Sequence, residues 1–371
     1  MPATNLGMPL ARPEHGLYWD PKANNGQGAR ISTHSMLKTF RRCPKQAEFK
    51  YVHRLKPKKL GAPLKRGTWV HSLLEAHSKG QDWRKVHEHY TKLFNEMFDE
   101  EKDFYGDMPR EIMTIFKSYL WHYKNDPWEY IDAEFQLEAA LPDGTIYRGK
   151  VDALIRNQFG LWLVDHKTHK TLPRLDFRLL DAQSALYLWA AQENGLKVNG
   201  FIWNYIRWKA PSTPKLLVKG DRISDAACDT DYPTFVAALK KYKQENPNFV
   251  IRDKDRQKAA YLRAQQYEFG KLQTSDFFRR DVLEKSPDMI ERVLQGNYTT
   301  SLRMHNYDFD NPDQVERVVE RSCEFSCSYT DICTMELVTG DASRLMKQNY
   351  TQGDPNDYYN DRAGDFDKEE R

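Results

Sequence analysis

Nowhere in its 371 residues does the chain run eighteen uncharged apolar residues together, so the sequence offers nothing that could span a bilayer as a helix. Its first twenty residues, MPATNLGMPLARPEHGLYWD, lack the continuous apolar core of a secretory signal, and a cytoplasmic location is the expectation. Cysteine is scarce: five residues, an odd number, argue against a disulfide framework. A strong charge imbalance is also missing, the net charge being +3. There is no internal repeat, and no G-x-x-x-x-G-K-[ST] loop to cradle the phosphates of ATP.

What is present reads as globular, with 40% hydrophobic and 13% aromatic residues. Charge is unevenly placed. The last twenty residues hold seven acids against three bases, net −4, so residues 1–351 carry +7. A mildly basic body with an acidic tail permits a polyanionic partner without requiring one. The Pro, Gly and Asn content of residues 1–30 predicts a flexible lead-in, and residues 346–371 an acidic disordered tail. Between them, 31–345 reads as one folded domain.

That domain begins with a helical stretch, STHSMLKTFRRCPKQAEFKYVHRL, interrupted at Pro44, and a second helix, RGTWVHSLLEAHSKG, stopped by Gly80. Residues 81–127 continue as helical hairpins forming an insert. The period then changes to two: AEFQLEAALPDGTIYRGKVDALIRNQFGLWLVDHKT predicts three strands joined by PDG and RNQFG turns. A helix over DFRLLDAQSALYLWAAQENG, a strand over GFIWNYIRWK and a basic, proline-bearing loop complete a core at about 131–222. From 224 to 345 the pattern is mostly helical and charged. The fold class is α/β, a central mixed sheet flanked by helices.

Within the strand pair, Asp152 and Asp165 can meet at one end of the sheet, and alternation turns Lys167 to the same face as Asp165. Two carboxylates hold a hard divalent cation such as Mg2+. A nearby lysine can position attacking water or offset charge in a transition state. His166 points the other way, but its carbonyl remains a possible ligand. A D-x-K triplet taken alone is more often a surface ion pair; the upstream G-x-x-D of GKVDALI, the hairpin and the apolar LWLV lead-in favour a site.

GKVDALI followed by LVDHKT resembles the core of the PD-(D/E)XK nuclease superfamily, and further segments are similar to its RecB-like branch. RGTWVHSLLE matches the G-x-x-x-H helix, in which His71 would join the metal shell. DAQSALYLWA matches the Q-x-x-x-Y helix through Gln183 and Tyr187, which the resemblance places near the scissile strand. It implies a restriction-endonuclease-like core and a metal-dependent DNA nuclease. Asp152, Asp165, the His166 carbonyl and His71 would bind Mg2+ or Mn2+, with Lys167, Gln183 and Tyr187 assisting. Glu75, one turn after His71, would back it up; Glu134 and Glu138 are either further metal-side acids or the wet face of a strand, and the wet face is the favoured reading.

Cys323-x3-Cys327-x5-Cys333, with Cys43 280 residues upstream, can hold a tetrahedral site of zinc or an iron–sulfur cluster. The order, a Cys-Pro in an N-terminal helix and three cysteines near the domain's end, is similar to the [4Fe-4S] staple of phage-encoded and CRISPR-associated RecB-like exonucleases, although here the first gap is one residue longer. Such a cluster would tie the ends of the domain together. Cys228 reads as a small buried apolar residue. Phe201, Trp203, Tyr205, Arg207 and Lys209 alternate on one strand face; aromatics with cations suit a single-strand groove, but such a stripe is more often core. The resemblance implies an exonuclease on single-stranded or end-bearing DNA in phage or prokaryotic recombination, repair or degradation. A homo-oligomer or a recombination or CRISPR protein partner is compatible with it. A structure-specific endonuclease and a non-catalytic DNA-binding module that kept the fold are the alternatives.

Overall fold

The structure, a computed structural model, describes residues 18–174 and 176–353. Residues 1–17 of the expected lead-in and 354–371 of the expected tail lie outside the described residues, whereas residues 346–352, expected in that disordered tail, are instead the end of a helix and a paired strand. Residues 18–30, expected to be flexible, are instead built into the sheet. Strand β1 (Trp19–Asp20) pairs antiparallel with β2 (Ala29–Ser32). Asp20 is held by Arg148 at 2.7 Å, and Tyr18, Ala29 and Ile31 are buried with Met36, Leu37 and Phe40. The glycines read as loop are the turn itself: Gly28 has φ +77°, and a Cβ there would strike the Trp19 indole.

Helix α1 (His34–Arg42) is capped by Thr33, which accepts the Met36 N–H at 3.1 Å, and buries Met36, Leu37 and Phe40. It stops at Cys43, in extended conformation, and Pro44 opens the next helical turn. Strand β3 (Leu55–Pro57) precedes α2 (Ala62–Ser78), which ends before Gly80 at φ +68°. The helical insert forms as expected: α3 (Trp83–Asn95), α4 (Asp99–Tyr105) and α5 (Met108–His122) bury Trp83, Phe94, Ile112 and Phe116 against Trp69 and Leu73 of α2.

The three predicted strands are β4 (Glu129–Ala140), β5 (Ile146–Asn157) and β6 (Gly160–His169), an antiparallel meander. Helix α6 (Ala182–Glu193), capped by Asp181, crosses back to β7 (Val198–Arg207), which runs parallel to β6. Helices α7 (Tyr232–Glu245) and α8 (Asp253–Ala264) follow. Strand β8 (Phe278–Leu283) then pairs antiparallel with β7, inside the stretch read as helical and charged. Three consecutive charged residues, Arg279, Arg280 and Asp281, hide it in the sequence; Arg280 is buried because Asp126 meets it at 2.7 Å. The sheet is mixed, in the order β1-β2-β5-β6-β7-β8 with β4 also on β5.

Helices α9 (Pro287–His305), α10 (Thr330–Thr339) and α11 (Ser343–Asn349) complete the domain, and β9 (Tyr350–Gln352) returns to pair with β3. The aromatic stripe of β7 is core, not groove: Phe201, Trp203 and Tyr205 have no exposed surface and pack with α6.

Two buried histidines make this fold acid-sensitive. Burial, with the charge of Arg280, pushes His122 down to about 3, and burial, with Arg30, pushes His305 down to about 4. Unfolding releases both to take up protons from about pH 6.5 downward, so their contribution is complete above that pH and is lost as pH falls toward 4. The melting temperature is expected to drop between pH 7 and pH 5, and His122→Asn to flatten that drop; an unchanged pH profile in the variant would rule out the His122 contribution.

Candidate active site

Strand β5 is forked along one edge. Its 153–157 segment pairs with β6 and its first two residues, Ile146 and Tyr147, pair with β2, while residues 148–152 between them have no strand partner on that edge. At the fork the Asp152 carboxylate accepts the His166 N–H at 2.6 Å, where the ladder ends. Asp152 and Asp165 are both nearly fully buried. Lys167 Nζ lies 2.6 Å from Asp165 Oδ2, and Gln183 Nε2 donates to Asp165 Oδ1 at 2.8 Å. His71, from α2, brings Nδ1 to 3.5 Å of Asp152 Oδ2. Six of the residues singled out in the sequence, His71, Asp152, Asp165, Lys167, Gln183 and Tyr187, thus converge on a cavity of about 400 Å³.

Two glycines of the motifs let these elements approach. Gly67, the first residue of G-x-x-x-H, has Thr168 Oγ1 at 3.2 Å from where a Cβ would stand, so α2 lies close on the end of β6. Gly149, the glycine of G-x-x-D, lies beneath the Tyr187 ring, 2.5 Å from the position of a Cβ. Tyr187 in turn donates its hydroxyl to the Lys150 carbonyl at 2.8 Å and accepts from Gln183 at 3.1 Å. The Q-x-x-x-Y pair therefore braces Asp165 and the unpaired edge of β5. Gly149→Ala is expected to push the ring off that edge and to destabilise by about 1–3 kcal/mol, read as a lower melting temperature; an unchanged value would show that Tyr187 is free to move.

Glu134 departs from the expected wet face. It sits mid-strand in β4 at φ +55°, a conformation that strains a non-glycine residue by on the order of 1–2 kcal/mol. Its carboxylate meets Lys150 Nζ, 2.9 Å away. His71, Glu134 and Asp152 each offer a ligand atom within 4.8 Å of the others, the grouping that could hold a metal ion among the described residues. The β4–β5 register sets Glu134 opposite Asp152, on the face that also carries Lys150, a cross-strand pairing that alternation within β4 alone does not name. Glu138 does stay at the rim, bound to Arg148 at 2.6 Å. Glu75 is taken up by Lys79 rather than by His71.

Burial and mutual charge push the site's titratable groups apart. Burial opposes ionisation of Asp152, but His71, His166 and Lys167 overcome it and hold the carboxyl well below its usual range. Burial raises Asp165 to about 6, and the neighbouring Asp152 charge adds to the rise against Lys167. Burial and Asp152 lift Glu134 to about 7. Against burial, Asp152 lifts His71 to about 8. A divalent ion would displace these protons.

His166 faces away, as its register predicts. Its Nδ1 is 2.8 Å from Asn204 Nδ2, which also donates to the Tyr119 hydroxyl at 2.9 Å. Arg280 Nε reaches Asn204 Oδ1 at 3.4 Å, and its guanidinium stands 3.6 Å and 3.3 Å from the ring centres of Tyr123 and Trp128. Neither Asn204 nor Arg280 belongs to a motif, so pattern reading passes over both.

The cysteines lie at the junction of the chain's two ends. Arg42 donates to the Ser322 carbonyl at 3.3 Å and to Ser326 Oγ at 3.0 Å, and the β3–β9 pair lies beside Tyr329. Cys43, Cys323, Cys327 and Cys333 are free thiols, each partly buried. Burial raises the Cys333 thiol against the charge of Arg317, and Cys43 is close enough to raise it further. Among the described residues, no three of these sulfurs lie within 4.8 Å of one another. Cys228, expected to be buried, is partly exposed, 3.4 Å from the Ser212 carbonyl.

No curated protein matches the chain. A solved structure titled "Crystal structure of SSO0001" is similar over 58% of this chain and 77% of its own, at 16% identity and a TM-score of 0.23. The family model of the PD-(D/E)XK nuclease superfamily matches residues 32–334, which include α1, the forked strand and the last of the clustered cysteines. With most of its length matched, the chain belongs to the PD-(D/E)XK nuclease superfamily.

Proposed function

We propose that the chain is a metal-dependent deoxyribonuclease, acting as an exonuclease on single-stranded or end-bearing DNA. One observation carries the reading: an acid, acid, lysine set at the open fork of β5, joined by His71 and a strained Glu134. A site released from catalysis has no chemical need to keep all of these. Asp152, Asp165, His71, the His166 carbonyl and Glu134 would hold Mg2+ or Mn2+, a donor set of oxygens with one imidazole. The bound ion supplies charge stabilisation at a phosphoryl oxygen and a water of lowered pKa. Lys167, fixed by Asp165, orients that water and offsets negative charge as the phosphodiester is attacked. Gln183 and Tyr187, expected at the scissile strand, also brace Asp165 and the Lys150 carbonyl.

A [4Fe-4S] cluster on Cys43, Cys323, Cys327 and Cys333 belongs to the same proposal. Its support is four partly buried thiols gathered where residues 280 positions apart meet. The cluster's role would be structural, closing a long loop. Among the described residues no helix is long and apolar enough to cross a membrane.

The test is degradation of end-labelled linear single-stranded DNA and of a closed circle, with Mg2+, Mn2+ or EDTA, after anaerobic purification. Metal-dependent loss of the linear substrate with the circle intact is expected. A nicked circle would make the enzyme an endonuclease, and no digestion of any substrate would leave a binding module.

A further inference from the structure

The cavity at the fork has a wall that the catalytic set does not use. It is formed by the first turn and a half of α1, where His34 and Lys38 lie four residues apart on one helical face and both line the cavity. The other cations of the cavity are already matched by carboxylates: Arg148 by Asp20 and Glu138, Lys150 by Glu134, Lys167 by Asp165, and Arg178 by Asp181. Lys38 is exposed and has no ion-pair partner among the described residues. Its charge is therefore available to something outside the protein.

His34 complements it in kind. Its Nδ1 is sealed from solvent with no hydrogen-bond partner in the protein. A proton placed there would be buried without an acceptor, so the single proton of the neutral ring belongs on Nε2. Burial, together with Lys38, Lys167 and Arg41 and against Asp181, pushes the ring down to about 4, so it stays neutral at physiological pH. A neutral donor and an ammonium side by side suit a phosphate oxygen that must be bound without protonating anything at the site.

We propose that His34 and Lys38 form a phosphate-binding pair that grips the nucleic-acid backbone at a phosphate flanking the one being cut. The pair rests on the nuclease reading above and adds the contact by which the strand is registered against Asp152, Asp165 and Lys167. It distinguishes a neutral contact, which adds affinity alone, from a charged one, which also displaces a counterion.

The experiment measures binding of a fluorescent single-stranded oligonucleotide by anisotropy in EDTA across a salt series, for wild type, His34→Ala, His34→Gln and Lys38→Ala. Mg2+ affinity and melting temperature are measured on the same preparations. Lys38→Ala is expected to weaken binding several-fold and to lower the slope of log affinity against log salt by about 0.7, one phosphate contact on a single strand. His34→Ala is expected to weaken binding about 3- to 10-fold with the slope unchanged, and His34→Gln, which keeps a donor, to recover part of it. Mg2+ affinity and melting temperature should stay at wild-type values in all. Wild-type cleavage with unaltered binding in the variants would overturn the pair alone, as would a loss that follows the melting temperature. A wild type that neither binds nor cuts DNA would overturn the nuclease reading with it.

Discussion

Replacing Lys167 with alanine is expected to reduce DNA cleavage by about a thousandfold while leaving the metal bound, the size of effect seen when one preorganised charge is removed from a transition state. The ammonium lies 2.6 Å from Asp165 and 5.3 Å from the Trp203 ring centre, so its position is fixed from two sides. Burial works against its charge, and Asp165 and Asp152 more than restore it, raising the group above its ordinary value. It therefore cannot serve as a base near neutral pH; its work is positional and electrostatic. Its loss also removes a charge that opposes the rise of Asp165. Mg2+ affinity in Lys167→Ala should consequently match wild type at pH 8 and fall below it at pH 6, where Asp165 takes up its proton. Single-turnover cleavage and calorimetric titration with Mg2+ at the two pH values separate the effects. Equal losses of cleavage and of Mg2+ affinity at pH 8 would instead make Lys167 a support for the metal ligands.

The parts of this site legible in the sequence are those that obey a period. Asp165 and Lys167 share a face because β6 alternates, and His71 follows Gly67 by one helical turn, so the strands, the helix and the acid, acid, lysine set could be named in advance. What escaped breaks a period or spans the chain. Glu134 reaches the site through the β4–β5 register, which sets it opposite Asp152. Strand β8 was hidden by Arg280, a charge in a core position, and that charge makes sense only once Asp126, Tyr123 and Trp128 are brought from elsewhere in the chain. Residues 18–30 read as a loose lead-in because the glycine that makes their hairpin turn has the same composition signature as disorder. Tyr187 was recognised as a motif residue, but its packing over Gly149 and its bond to the Lys150 carbonyl are invisible in a four-residue spacing.

Arg280 gives the second large effect, on stability. Truncation of one partner of a buried ion pair costs about 3–5 kcal/mol, because the other charge stays behind, and Arg280 also loses its place between two aromatic rings. Arg280→Met, which retains an apolar stem of similar length, is expected to lower the melting temperature by on the order of 10 °C at the usual 2–4 °C per kcal/mol for chains somewhat shorter than this one. Arg280→Lys should recover only part of that, since a single ammonium cannot face Asp126, Asn204 and both rings as the planar guanidinium does. The consequence reaches the catalytic side of the sheet through Asn204, whose amide faces Arg280 and His166 together. With Arg280 gone, the amide loses its donor and the His166 ring its fixed partner, while the His166 N–H is bonded to Asp152. Cleavage by Arg280→Met, assayed 20 °C below its own melting temperature, should thus fall further than the folded fraction. Cleavage in strict proportion to folded protein would confine Arg280 to stability and cut the link from β8 to the site.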